Sequence, residues 1–393
     1  MAEKRRNERN TEKLNVKKKK KRENTYFDYN LLFLVIFLIC FGMVMLYSSS
    51  SYICATSKKY NYDGAYYLKK QMFNAAIGAG GMIFFTWMDY HKWKKWGPID
   101  WRIWSYLGSF ALCMAVIFIG KSSHGSTRWL AIGPVQFQPS EIAKVGVIVF
   151  LAAILENMGR QLKKPINLFK VFLMVLPIIG VVAVSNLSTA IIIAGIAVCM
   201  MFVASPKYSH FFALGGMGVA LGGLGILLFP YRLGRVTTWL FPEQADPDDI
   251  YQTMQGLYAI GSGGFFGKGL GESLQKMGNV PESQNDMIFT IICEELGLFG
   301  GISLILLFML ILWRMMVIAN NAPDLFGSLL VIGVMSHIAI QVFLNIAVVT
   351  AFIPNTGVIL PFISYGGTSY IILMCEVGLV LGVSRQIKLE SIK

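Results

Sequence analysis

One carboxylate in the string PESQNDMIF stands where a proton could be taken. Asp286 closes the proline-initiated polar turn 281–285 and precedes the apolar Met287, Ile288 and Phe289. A carboxylate at the mouth of an apolar helix bundle is partly desolvated, which raises its pKa and makes it a better proton acceptor. That suits a general base. The competing role is a helix N-cap, in which the same group accepts from the free N–H groups of the next turn. On residue spacing alone the cap is slightly the better supported.

Other ionisable residues gather around this stretch. Glu294 and Glu295 follow Asp286 at helical spacing, and Lys268, Lys276 and Glu282 precede or flank it. At least one of the two glutamates has to face the bundle, where pairing with a basic side chain of a neighbouring helix is a simpler role than catalysis. Glu141 and Lys144 stand at i and i+3, so they can form an ion pair that lowers the cost of holding both near lipid. That pair fits bundle stabilisation as well as it fits substrate contact. Arg128 and Trp129 precede it, and His337, Gln341 and Asn345 recur every four residues as one polar stripe suited to interhelical hydrogen bonds.

Several chemistries are excluded. The glycine-rich residues 261–271 contain Gly267-Lys268, but Ser262 and Gly269 stand where a Walker loop needs glycine and serine or threonine. A glycine-rich backbone with Lys268 could still cradle a pyrophosphate through its N–H groups; the plainer reading is a flexible loop. Asp246, Asp248 and Asp249 are followed by Ile250, which breaks a calcium loop and leaves a solvated acidic turn. Six cysteines without CxxC spacing indicate neither disulfides nor zinc. No Ser/His/Asp or Cys/His signature supports a side-chain nucleophile.

The elements that hold these residues are membrane helices. Hydrophobic residues make up 55% of the 393 and charged residues 15%, with a mean hydropathy of +0.56, outside the range of soluble domains. Apolar runs of helical length fall near residues 31–46, 72–88, 103–119, 140–157, 166–184, 187–204, 211–229, 288–313, 325–349 and 368–383. The expected fold is an all-α polytopic bundle of about ten transmembrane helices. Residues 1–28 form a basic tail, containing the run Lys17 to Arg22, that is too polar to fold alone. Beside a membrane helix this run reads as a topology signal that contacts anionic lipid, and not as a nucleic-acid site. Lys92, Lys94, Lys95 and Arg102, then Arg160, Lys163 and Lys164, mark cytoplasmic connections. Both termini are therefore expected inside, with residues 29–384 as the membrane domain, 230–285 as a large extracytoplasmic loop and 385–393 as a cytoplasmic tail. The polar constellations above then fall on the outer side.

Five segments together resemble one family. MLYSSSS (45–51), STRWLAIGPVQFQPSEIAK (126–144), AIGSGGFFGKGLG (259–271), PESQNDMIFTIICEELGLFG (281–300) and IPNTGVILPFISYGGTS (353–369) are similar, in order, to the SEDS family of shape, elongation, division and sporulation proteins. The resemblance covers nearly all of the chain after the basic tail. The end of helix one and the start of helix two look more like the FtsW and SpoVE branches than RodA.

This resemblance implies a peptidoglycan glycosyltransferase in the bacterial cytoplasmic membrane, at the septum if the division branch is right. It would polymerise lipid II at the outer face and release undecaprenyl pyrophosphate. The family's essential carboxylate falls on Asp286, which favours the base over the cap. Arg128, Glu141 and Lys144 match motifs that would line the cavity. Arg128, Lys268 or a divalent cation such as magnesium or manganese would meet the leaving pyrophosphate. A class B penicillin-binding protein and the division machinery are the implied partners. The alternatives are a lipid II flippase, a noncatalytic scaffold, and the elongation or sporulation paralogue. Where the family usually carries Gln-Pro-Asp-Leu-Gly-Thr, this chain reads Val184 to Thr189 as VSNLST, and Ser283 to Asn285 replace the commoner Ala-His-Thr.

Overall fold

Serines lengthen the first helix beyond its apolar run. α1 continues to Thr56 because Ser49 and Ser50 donate their hydroxyls back to the Leu46 carbonyl, at 3.1 and 2.7 Å. A polar stretch that satisfies itself in this way does not end a helix. The computed structural model describes residues 26–95, 100–123, 126–132, 135–207, 210–227 and 230–388. Most of the basic tail, residues 1–25, and the last five residues lie outside them.

Helices stand at all ten expected positions: α1 (Tyr29–Thr56), α2 (Tyr66–Trp87), α3 (Trp101–Ile119), α4 (Pro139–Met158), α5 (Pro165–Ser185), α6 (Leu187–Ala204), α7 (His210–Leu227), α10 (Ile288–Asn320), α11 (Leu325–Val349) and α12 (Gly367–Ser384). Among the described residues, seven of these are long and apolar enough to cross a membrane. Two features add to what was expected. The polar region after α7 holds two further helices, α8 (Pro230–Leu240) and α9 (Pro247–Ser262). Asp246, expected in a solvated turn, caps α9 by accepting from the Asp248 amide, and Pro247 supplies a favoured first residue. Within the helical fold, a small antiparallel sheet β1–β2–β3 (Lys121–Ser123, Ser126–Ile132, Val135–Phe137) joins α3 to α4.

The bundle core is built from α4, α11 and α12, whose side chains are mostly buried. α12 packs backbone to backbone on α2. A Cβ at Gly378 or Gly382 would run into the Met82 or Phe85 carbonyl, the small-residue approach by which membrane helices pack closely.

The two ends differ. At one, Tyr26 and Asp28 belong to the fold and not to a free tail. Arg314 bonds both, at 2.6 Å each, and the Tyr26 amide donates to the Ile387 carbonyl. The same end carries Tyr90 and His91 on Asp324, and Lys94 on Glu156. The opposite end carries the sheet, α8, α9, the glycine-rich segment and the loop between α11 and α12.

Candidate active site

Asp286 sits at that second end, in a turn held from three sides. The Ser283 hydroxyl donates to the Ser49 carbonyl on α1 at 3.2 Å, and the Tyr365 amide donates to the Gln284 carbonyl at 2.9 Å. From α11 the Asn345 amide donates to the main-chain carbonyl of Asp286 at 2.7 Å. Glu282 takes a positive φ of 54° within this turn, and Asn285 closes back on it. The aspartate is only 8% exposed. Its carboxylate faces Gly357 of the α11–α12 loop, where a Cβ would lie 3.8 Å from Oδ2. α10 begins at Ile288 with Met287 in the cap position and no side-chain cap. Asp286 therefore stands one residue ahead of the cap, which the sequence alone had favoured for it.

Glu141 and Lys144 are brought to the same face of α11. Their ion pair measures 2.9 Å and is buried, and Lys144 lies 3.4 Å from the Gln341 side-chain oxygen. Gln341 stands one turn from Asn345 and donates to the Ile359 carbonyl at 3.1 Å, while His337 bridges Gln341 and Glu376 at 2.9 and 2.8 Å. The polar stripe of α11 thus binds both neighbouring helices and the main chain of the loop opposite Asp286. Interhelical bonding alone did not account for it.

Arg128 projects from β2 into a small cleft that it shares with Gln138, Ser140, Ser185 and Asn186. Gln138 donates to Ser140 at 3.0 Å, next to Glu141, so the Arg128 cleft borders the Glu141–Lys144 pair. Asn186, where the family usually has aspartate, caps α6 by accepting from the Thr189 amide at 3.2 Å. An amide does this as well as a carboxylate does.

Lys268 is placed differently from the expectation. Its ammonium lies 2.6 Å from Glu294 and 3.0 Å from the Ser262 hydroxyl. Part of the glycine-rich backbone is likewise engaged. The amides of Lys268 and Gly269 donate to the Glu294 and Glu295 carbonyls, and those of Leu298 and Phe299 donate back to Gly264 and Phe265. The segment is a turn-rich splint bonded along a break in α10 at Gly297, not a flexible loop. Glu294 and Glu295 both face inward. Their partners do not come from a neighbouring membrane helix: Lys268 lies in this splint and Lys276 in the short turn Gln275–Met277 that follows it.

Sequence reasoning missed a larger hollow. A cavity of about 440 Å³ lies between α8, α9 and residues 351–355. Its only sequence signal was the pair of proline-led helix starts. Among the described residues no three His, Cys, Asp or Glu side chains gather as a metal site.

Fold and site define a multi-pass helical membrane protein with a buried carboxylate and a mixed-charge wall at one end of its bundle. The chain belongs to the cell cycle protein family of FtsW, RodA and SpoVE, which it matches over residues 29–389. It is 38% identical to the probable peptidoglycan glycosyltransferase FtsW of Geobacter sp. (strain M18), over 92% of this chain and 98% of that one. It is also 38% identical to stage V sporulation protein E of Bacillus subtilis (strain 168), over 91% and 97%. Among solved structures, a chain of a peptidoglycan synthase complex that coordinates polymerization and crosslinking superposes with a TM-score of 0.72 at 24% identity, covering 91% of this chain and 98% of that one. Rod shape determining protein RodA of Thermus thermophilus gives 0.67 at 24%, covering 91% and 97%.

Proposed function

We propose that this protein is a peptidoglycan glycosyltransferase that polymerises lipid II at the outer face of the cytoplasmic membrane, with Asp286 as its general base. The names of its relatives supply the reaction class. The observation that carries the residue assignment is the placement of Asp286, nearly buried, clamped through its main chain and facing the α11–α12 loop. In the proposed step the carboxylate takes the proton of the GlcNAc 4-hydroxyl on one lipid-linked disaccharide. That oxygen attacks the anomeric carbon of the other, whose bond to the phosphate breaks, and undecaprenyl pyrophosphate departs. Arg128 is the cation assigned to the leaving group, with the Glu141–Lys144 pair shaping the wall beside it. Lys268 would have to leave Glu294 to reach a phosphate, so its assigned part is to hold the splint. Among the described residues no three carboxylate, imidazole or thiol groups gather to hold a divalent ion by themselves, and no step is routed through one.

The partner assigned is a class B penicillin-binding protein, in keeping with the synthase complex that shares this fold. The location assigned is the division septum, after the several relatives named FtsW. A flippase would need an open charged route between leaflets. The row Glu141, Lys144, Gln341, His337 and Glu376 is such a series of groups, but all are buried against one another, which favours the transferase.

The test is glycan-strand formation from purified lipid II with the transpeptidase partner present. Polymer from the native protein and none from equally folded Asp286→Ala supports the reading. Equal polymer from both removes Asp286 from the chemistry, and no polymer from either counts against the transferase.

A further inference from the structure

The cavity beside α8 and α9 has walls too ordered for an accidental gap. Arg235 donates to the Asn355 carbonyl at 2.9 Å and Trp239 donates its indole N–H to the Ala351 carbonyl at 2.8 Å, strapping α8 to the loop after α11. Asn355 donates to the Gln252 side chain at 2.8 Å, which fixes α9 to the same loop. Gln252 in turn donates to the Pro281 carbonyl, in the turn that carries Asp286. Asn355 stands two residues before Gly357, the residue that the Asp286 carboxylate faces. The hollow and the carboxylate therefore share a wall.

Its lining says what it would hold. The volume of about 440 Å³ falls within the roughly 300–1,000 Å³ of small-molecule sites. Seven of the fourteen lining residues carry hydrogen-bonding side chains, and a polyprenyl chain would desolvate the three outside the straps, Thr238, Asp248 and Thr253, without giving them partners. With its N–H tied to the wall, Trp239 can offer a ligand only its ring. An aromatic ring beside carboxylate, amide and hydroxyl groups suits a sugar, whose C–H face is apolar and whose edge is ringed with hydroxyls. Asp248 and Thr253 supply such groups across the cavity from α9.

Resting on the transferase reading above, we propose that this cavity is a saccharide subsite that takes an N-acetylated disaccharide unit and presents its hydroxyl edge to Asp286. The unit comes either from an incoming lipid II or from the growing strand. Thr253→Trp fills the cavity without cutting the straps between its walls, and Trp239→Ala removes the stacking face.

The first readout is binding of the soluble GlcNAc–MurNAc disaccharide to the full-length protein in detergent, followed by saturation-transfer NMR. The native protein and Asp286→Ala are expected to bind it alike, and both cavity variants to bind about tenfold or more weakly, the loss expected when an aromatic anchor goes. The second readout is polymerisation. In the cavity variants a raised KM for lipid II assigns the subsite to the incoming substrate, and shorter strands at unchanged KM assign it to the growing one. Disaccharide binding that survives in folded Thr253→Trp and Trp239→Ala, or is absent from the native protein, overturns the proposal. Because binding is read without turnover, this result stands apart from whether Asp286 is the base.

Discussion

The Asn345 side-chain amide donates to two main-chain carbonyls at once, those of Asp286 and Val358, each at 2.7 Å. A single buried residue of α11 thus ties the turn that carries the carboxylate to the loop that faces it. Asn345→Ala withdraws the donor from both buried carbonyls, at about 1–3 kcal/mol for each group left unsatisfied. The protein should melt at a lower temperature. If the clamp also sets the reach of the carboxylate, kcat for polymerisation should fall on the order of a hundredfold, as misplacement by about 1 Å can cause. KM should move little. Steady-state kinetics beside a melting curve test this, and a lower melting temperature with kcat intact would reduce Asn345 to a structural part.

Glu295 and Lys276 form a second buried unit. The ammonium lies 2.7 Å from the carboxylate, and Ser48 donates to both carboxylate oxygens at 2.7 and 2.8 Å. Lys276 also donates to the Gly271 carbonyl at 2.6 Å, which anchors the splint to α1 and α10. Lys276→Met leaves a buried carboxylate without its counter-charge and should cost about 3–5 kcal/mol. Adding Glu295→Gln should recover part of that loss, since partners in one network are not additive. Denaturation of the two single variants and the double variant in one detergent decides it. Strict additivity would mean that the pair is not coupled.

Gly297 and Gly261 should respond oppositely to a methyl group. At Gly297 the backbone takes φ 68° and ψ −170°, a region that only glycine populates readily, and a Cβ would overlap the Gly267 amide of the splint. Gly297→Ala should destabilise by at least about 1–3 kcal/mol from backbone strain alone. Gly261 lies in the last turn of α9 with open space around it. Gly261→Ala should be neutral or stabilise by up to about 1 kcal/mol, the helix preference for alanine over glycine. Melting temperatures of the two variants against the native protein check both signs.

The same residues show where the sequence could and could not be read. Apolar runs of spanning length put ten helices in place, because backbone groups in lipid must be satisfied within a helix. The stripe His337, Gln341, Asn345 was visible as a period of four. Its partners were not, since the carbonyls of Asp286 and Ile359 are supplied by segments distant in the chain or outside any helix. Lys268 was misplaced because glycine-rich chain with one lysine is also what a phosphate cradle looks like. Against the cradle stand the Lys268 and Gly269 amides, which are taken by carbonyls freed at the α10 break, and Gly297 gives no local sign of that break. The apolar run 31–46 stops short of the end of α1 at Thr56, because the serines' return bonds to Leu46 cannot be told from a polar turn by composition.

His91 should make stability depend on pH at the other end of the bundle. Its ring nitrogens lie 2.7 Å from Asp89 and 2.9 Å from Asp324, which also caps α11 and accepts from Tyr90, while Gln386 reaches Asp89 from the chain's end. Burial alone would push the imidazole down, but the two carboxylates outweigh it and hold its pKa above the ordinary value. A group raised on folding stabilises fully below its unfolded value, near 6.5, and that contribution is lost as pH rises through the folded value. The melting temperature should therefore fall from about pH 6 to about pH 9 more in the native protein than in His91→Gln, where the switch is absent. Because the ring is half exposed, the difference should be modest and should shrink with added salt. Parallel pH profiles for the two proteins would show that His91 joins α2, α11 and the chain's end without its charge contributing.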